Sequence, residues 1–384
     1  MVPSAAAHIA RLMLAPMSCA AVGVLAAGAV CAATVRCPGD CDGDGAVSIA
    51  ELVQAVTIAT GAATVARCAA ADTDPDGQVS VNELVRAVNS ALSGCPGEMP
   101  APDLVVFEQL NLQPEGVEYD AARGRFLVGS RTQGIIHAVN DEGGLTEVVS
   151  DPGLSATLGL HIDRARDRLL AAGALGEASN PALGIYALGS GETIHVIDLA
   201  TVAAPGAHLA NDVVSDADGN AYVTDTLTPA IYRVTPEGAA TIFSDDMALA
   251  RANGIEIYDN RYLIVATLSG PDLLRVSLDD PPVVTPIAVD LPGGGDGIVF
   301  AANGDLAVVG SAGGTGVVHR LRSDDDWASA QVVGVWNTAP LGFGIPTTAA
   351  MRGADDVYVI FANLFDVTRV SYQIARAQFS PPAD

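Results

Sequence analysis

Two stretches have the residue types and spacing to hold a hard metal ion. They are DCDGDGAVSIAE from Asp40 and DTDPDGQVSVNE from Asp72. Each puts carboxylates at loop positions 1, 3, 5 and 12 and glycine at position 6. Calcium takes six to eight oxygens, and a bidentate glutamate at position 12 closes the site. The first loop would offer Asp40, Asp42, Asp44, the Ala46 carbonyl and Glu51. The second would offer Asp72, Asp74, Asp76, the Gln78 carbonyl and Glu83. A helix pattern follows each loop. Leu52, Val53 and Val56 form one apolar stripe; Val81, Leu84, Val85, Val88 and Leu92 form the other.

A second set of candidates is spread along the rest of the chain. Glu115, Asn211, Asn253 and Asp296 each stand just ahead of a short apolar run. Asn and Asp are poor strand residues, so their position needs a reason. The surrounding segments are copies of one pattern: PEGVEYDAARGRFLVGS from Pro114, LGLHIDRARDRLLAAG from Leu158, ANDVVSDADGNAYVTD from Ala210, ANGIEIYDNRYLIVAT from Ala252, GDGIVFAANGDLAVVG from Gly295 and TTAAMRGADDVYVIFA from Thr347. Each reads as strand, turn, strand. A repeat of about forty to fifty residues is the size of a four-stranded propeller blade. Six copies predict an all-β six-bladed β-propeller over 103–384, preceded by a small α-helical paired calcium-loop module over 37–95. The run 104–107 would supply the outer strand that closes the last blade.

In such a ring the residues leading each first strand gather at one mouth of the channel. Two carboxylates and two amide oxygens meeting there suit calcium or another divalent metal. Asp212, next to Asn211, either supports that set or serves a turn. His161 would open the second blade's strand as a mouth-facing imidazole or sit as a satisfied channel histidine. His208 is close enough in sequence to reach the mouth. His137, His195 and His319 have no partner by spacing.

Composition narrows the chemistry. The formal net charge is -26, which disfavours nucleic acid and anionic membrane surfaces and favours divalent cations. The chain contains no lysine, so Schiff-base and lysine general-base mechanisms are excluded. Residues 1–33 read as a secretory signal: Arg11, an apolar run over 12–30, then Ala32 and Ala33 as a cleavage region. An uncleaved membrane anchor is the rival reading of that run. No other stretch is long and apolar enough to span a membrane. An exported location follows: periplasmic, cell-surface or extracellular. Cys37, Cys41, Cys68 and Cys95 fall in one short region, as two disulfides in any of three pairings or as free or metal-binding thiols. Residues 96–102 are a proline-rich linker. Neither a Gly-x-Ser-x-Gly elbow nor a His-x-x-x-His pair occurs.

Two resemblances follow. The duplicated loop-then-helix units between Cys37 and Cys95 resemble dockerin modules, which implies a calcium-dependent contact with a cohesin-like or cell-surface protein. The chain departs from that pattern in its cysteines and its N-terminal position, and a calcium-stabilised, disulfide-stapled cap or stalk is the preferred reading. From Pro102 onward, PEG at Pro114, ND at Asn211, NG at Asn253 and DG at Asp296 resemble the signature positions of the senescence-marker-protein/gluconolactonase (regucalcin-like) family; paraoxonases and diisopropylfluorophosphatase are similar in layout. The resemblance implies a central divalent metal on Glu115, Asn253 and Asp296. Asn211 would join them or orient the substrate, and Asp296 would act as base or nucleophile in lactone or ester hydrolysis.

The function expected is thus an exported calcium-dependent lactonase or esterase acting on a small molecule. The alternatives are a non-catalytic propeller with structural calcium that binds a ligand or protein, and an interaction protein docking through its N-terminal module. Specificity would come from loops over 176–191 and 337–346, whose few charged groups point to a neutral or apolar ligand.

Overall fold

The computed structural model describes residues 37–42, 47–73, 77–93, 101–176, 180–269, 272–312, 315–362, 364 and 366–382. The signal segment 1–33, linker residues 96–100, Asp44, Ala46, Asp74, Asp76 and Cys95 lie outside the described residues. The chain divides into two compact units, with the boundary between Gly97 and Glu98. No helix among the described residues is long and apolar enough to cross a membrane.

The N-terminal unit has two helices, α1 (Ile49–Ala59) and α2 (Val81–Ser93). Ser48 caps α1 through a capping box. Its hydroxyl accepts from the Glu51 N–H at 3.3 Å, and the Glu51 carboxylate accepts from the Ser48 N–H at 2.7 Å. Ser80 and Glu83 repeat the arrangement at the start of α2. Each glutamate is thereby turned into its loop. Residues four and seven positions on share its helix face, so Ala55 and Ile58 follow Glu51 into the interior, and Ala87 and Ser90 follow Glu83. The apolar stripes anticipated from periodicity therefore point the other way. Val53, Val56, Val81, Val85, Val88 and Leu92 are exposed, and Leu52 and Leu84 are half-buried. A disulfide joins Cys41 to Cys68, and Cys37 is also disulfide-bonded. The Cys41–Cys68 bond selects one of the three possible pairings.

The second unit is a six-bladed β-propeller of six four-stranded antiparallel sheets. Five blades take their strands in chain order from the axis outward. In the sixth, strand Leu104–Glu108 pairs with Ser371–Arg376, from Leu104↔Ala375 to Glu108↔Ser371. The first strand of the propeller is thus the outermost strand of its last blade, and the ring closes by main-chain hydrogen bonds, as the sequence anticipates. The innermost strands are Val117–Asp120, Leu154–Asp163, Ala210–Ser215, Ala252–Tyr258, Ile298–Phe300 and Pro346–Arg352. They touch their neighbours around the axis.

Turn chemistry sets the strand limits. Between Ala210–Ser215 and Ala221–Asp225, Gly219 takes φ +88°, open to glycine at no steric cost. Asp216 fastens that turn by accepting from the Asn220 N–H at 2.8 Å. Core side chains lie between adjacent blades. At the seam of blades 6 and 1, Phe107, Phe126, Tyr358 and Tyr372 are buried together with Val105 and Val117. Arg352 pins the same seam. Its guanidinium lies over the rings of Tyr119, Phe126 and Tyr358 at 5.0, 5.9 and 5.8 Å and pairs with Asp141. The segment 176–191, expected to be an irregular mouth loop, is mostly strand Asn180–Ala187. Its small residues fit because Ala182, Leu183 and Ile185 pack between sheets; Tyr186 covers Gly184, where an added Cβ would lie 2.3 Å from the Tyr186 hydroxyl.

Candidate functional site

The puzzle of Asn211-Asp212 has a backbone answer. In four innermost strands the pairing with the second strand slips by one residue, between Thr157 and Leu160, Ala210 and Val213, Ala252 and Ile255, and Pro346 and Ala349. Each slip is a bulge, which frees residues from regular pairing and re-aims them. The freed pairs are Leu158-Gly159, Asn211-Asp212, Asn253-Gly254 and Thr347-Thr348. In blades 1 and 5, Glu115-Gly116 and Asp296-Gly297 stand directly before the first paired residues, Val117 and Ile298. Poor strand propensity costs little where there is no regular ladder.

The six pairs are stitched into a ring. The Gly254 N–H donates to the Asp296 carbonyl at 3.1 Å, and the Gly297 N–H donates to the Thr347 carbonyl at 2.9 Å. Thr347 Oγ1 donates to the Glu115 carbonyl at 2.8 Å. The second member of a pair has little room. A Cβ on Gly159 would lie 2.2 Å from Asp212 Oδ1, and one on Gly297 would lie 2.0 Å from Thr348 Oγ1. Asp212 itself bridges two strands. Its Oδ1 accepts from the Val213 N–H at 2.9 Å and its Oδ2 from the Ile255 N–H at 3.1 Å.

Glu115, Asn211, Asn253 and Asp296, from four different blades, line one cavity together with Asp212 and Thr347. Blade 2 contributes Leu158-Gly159 at its ring position and so brings no side-chain oxygen. Burial, then the charges of Asp296 and Asp212, push the Glu115 carboxyl well above its usual range, with Arg131 opposing. Burial and the Asp212 charge raise Asp296 to about 7, against a hydrogen bond with the Asn253 side chain. Asp212 is raised to about 7 by burial, against the two N–H groups it accepts. Buried carboxylates this close either hold protons or need a cation. The donors are all oxygen, with two carboxylates and two amides, which fits a hard divalent ion.

Beyond the ring lies a second layer, of which the sequence offered only His161. Glu118, His161 and Glu256 line a second cavity together with Asp212. Burial raises Glu118 to about 7, and burial, Glu118 and Asp212 raise Glu256 well above its usual range. Each of the three follows a ring residue by three positions: Glu115 to Glu118, Leu158 to His161, Asn253 to Glu256. Aligning the six copies on Glu115, Leu158, Asn211, Asn253, Asp296 and Thr347 is the signal that would have found them. His161 is therefore not at the mouth. Strand Leu154–Asp163 begins well before it, and its Nε2 lies 3.0 Å from Ser215 Oγ. Burial lowers it to about 4, so it is the satisfied channel histidine of the alternative reading.

His208 is held in the loop ahead of Ala210, with Nδ1 2.6 Å from Asp225 Oδ2 and Nε2 2.7 Å from the Ala204 carbonyl. Both ring nitrogens are thus engaged away from the cavity. In the N-terminal unit, donor atoms of Asp40, Asp42 and Glu51 lie within 4.8 Å of one another. In the second loop Asp72 Oδ1 is buried without a hydrogen-bond partner, the state expected of an oxygen reserved for a cation. Glu83 Oε1 accepts from the Thr73 N–H at 2.6 Å, and Gln78 is exposed.

No protein-family model and no curated protein matches the chain. Solved structures do. The chain is similar to the major allergen Mala s 1 of Malassezia sympodialis, at 20% identity over 72% of this chain and 96% of that one, with a TM-score of 0.58. It is similar to a gluconolactonase of Xanthomonas campestris at 16% identity, covering 71% and 89%, with a TM-score of 0.52. It is also similar to regucalcin, a calcium-binding protein of Agrobacterium tumefaciens, at 19% identity, covering 71% and 94%, with a TM-score of 0.50. At these identities the likeness is one of fold, and the propeller unit is built as these proteins are.

Proposed function

We propose that the propeller unit is a metal-dependent hydrolase of lactones or esters, with calcium held by Glu115, Asn211, Asn253 and Asp296. The reading rests on one observation: four blades deliver these four oxygen-bearing side chains to a single cavity. Proteins described as a gluconolactonase and as calcium-binding share its fold, which favours the same use of the cavity. A bound divalent ion supplies Lewis acidity toward a carbonyl oxygen. Glu115 and Asn253 hold the ion, and Asn211 either joins them or orients the substrate carbonyl. Asp296 is the base or nucleophile that activates or replaces the attacking water.

Export is part of the proposal. The sequence of 1–33 has signal character, and the Cys41–Cys68 disulfide fits an oxidising compartment. The N-terminal unit is a calcium-stabilised, disulfide-stapled cap in this reading.

The test uses the full chain. Bound metal is measured by elemental analysis in the wild type and in Asp296→Asn, and lactones and aryl esters are screened with and without chelator. Chelator-sensitive turnover, with turnover and one equivalent of metal lost in Asp296→Asn, supports the hydrolase. Metal without turnover on any substrate supports the non-catalytic binding propeller. A wild-type metal content unchanged in both Asp296→Asn and Glu115→Gln removes the metal site.

A further inference from the structure

The residues around the cavity mouth indicate the kind of molecule it admits. The ring residues are preceded, two positions earlier, by rim residues, and the loop linking second and third strands lies beside them. Leu209 precedes Asn211, and its carbonyl accepts from the Thr226 N–H at 3.0 Å, which sets Leu227 next to it. Arg251 precedes Asn253, and its carbonyl accepts from the Leu268 N–H at 3.0 Å. Ile345 precedes Thr347, and its carbonyl accepts from the Ala362 N–H at 3.2 Å. Leu227, Leu268 and Ile345 are 54%, 37% and 41% exposed. A single exposed leucine means little; these three stand on blades 3, 4 and 6 at the same end of the propeller.

The two ends of the propeller differ. Met247 and Leu341 add exposed aliphatic surface to the loops of the mouth end. Among the described residues, Val283 is the one exposed large aliphatic in the loops of the opposite end. That end carries the arginine–carboxylate pairs instead, such as Arg125–Asp120, Arg168–Asp163 and Arg320–Asp305.

Charge points the same way. Glu115, Glu118, Asp212, Glu256 and Asp296 face the channel. The guanidiniums of Arg131 and Arg164 act on Glu115 and Glu118, Arg251 stands exposed ahead of Asn253, and a bound divalent ion would offset two further charges. Asp245, Asp246 and Asp290 add exposed negative charge to the mouth loops. These exposed carboxylates present an anionic ligand with charge of its own sign at the entrance.

We propose that the site takes neutral aliphatic lactones or esters, whose hydrocarbon chain lies on the rim formed by Leu209, Leu227, Leu268 and Ile345, and discriminates against polar sugar lactones and their acids. This rests on the hydrolase reading of the same cavity, and the experiment separates the two. The full chain, saturated with calcium, is assayed on γ-lactones of increasing side-chain length and on glucono-δ-lactone. Binding of the matching γ-lactams, which keep ring and chain but lack the labile ester, is measured by calorimetry beside gluconate.

Specificity kcat/KM and lactam affinity should each rise about threefold to fourfold per methylene until the rim is covered. Leu227→Asp and Ile345→Asp, both at exposed positions, should flatten that dependence. Ile242→Asp, on an outer strand, should leave it intact. Turnover confined to glucono-δ-lactone, or affinity that favours gluconate, overturns the inference and leaves the hydrolase standing. Chain-dependent lactam binding with no turnover of any lactone or ester does the reverse. Equal affinity at every chain length overturns the inference whatever the turnover.

Discussion

Asp212 acts on every other channel carboxylate: its charge raises Glu115, Glu118, Glu256 and Asp296. Its own carboxyl is raised from 3.8 to about 7, chiefly by burial. Between about pH 4 and 7 the folded protein therefore holds a proton that the unfolded chain has lost. Without a cation, stability falls as pH rises through that window and stays low above it. The difference of about three pH units corresponds to roughly 4 kcal/mol at 1.36 kcal/mol per unit. Asp212→Asn removes this penalty. It also removes one of the two acceptors used by the Val213 and Ile255 N–H groups, at a cost of roughly 1–3 kcal/mol. In chelator at pH 8 the variant should be more stable than wild type by about 1–3 kcal/mol. At pH 5, about 1.2 pH units above the unfolded value of 3.8, only about 1.6 kcal/mol of the penalty remains, so the advantage should vanish or reverse, lying between about 0.6 kcal/mol in favour of the variant and about 1.4 kcal/mol against it. In saturating calcium at pH 8 the sign should also reverse, because the lost charge then weakens attraction for the ion. The chain's two tryptophans, Trp327 and Trp336, both lie in the propeller, so denaturant unfolding followed by their fluorescence reports that unit alone. A variant less stable than wild type in chelator at pH 8, or a difference independent of pH from 5 to 8, would refute the electrostatic reasoning.

Other perturbations act on single links of the same structure. Gly297→Ala drives a Cβ to 2.0 Å from Thr348 Oγ1 and 2.3 Å from its Cβ; the same unfolding assay should show a loss of about 3 kcal/mol. Arg352→Ala removes a charge from the Asp141 pair and three ring contacts at the closing seam. With Asp141 itself 34% exposed, the loss should be about 1–3 kcal/mol, measured as a lower unfolding midpoint. Glu51→Gln and Glu83→Gln should each lower calcium bound per chain, read by equilibrium dialysis, while lactone turnover stays at the wild-type rate. Unchanged calcium in both variants would count against the loops.

Features set by neighbours in sequence were legible in advance. The blades follow from turn residues such as Asp218-Gly219-Asn220 recurring at a fixed period, and the closing strand 104–108 from an apolar run left over before the first copy. The four leading residues could be grouped because equal positions in a repeat occupy equal positions in a ring. The ring as a whole was not legible. The bulges that aim Asn211 and Asn253 inward exist only as mismatches between paired strands; His161 and Glu256 face the channel in the register those bulges impose, while Glu118 reaches it from a strand paired without one. Helix periodicity marked Val53, Val56, Val85 and Val88 as one-sided, yet Glu51 and Glu83, turned into their loops, decided which side faces inward. Local spacing is enough to specify a turn, because its atoms lie within a few residues of one another. Burial and the direction of a side chain depend on segments tens of residues away, and only the closed fold brings those together.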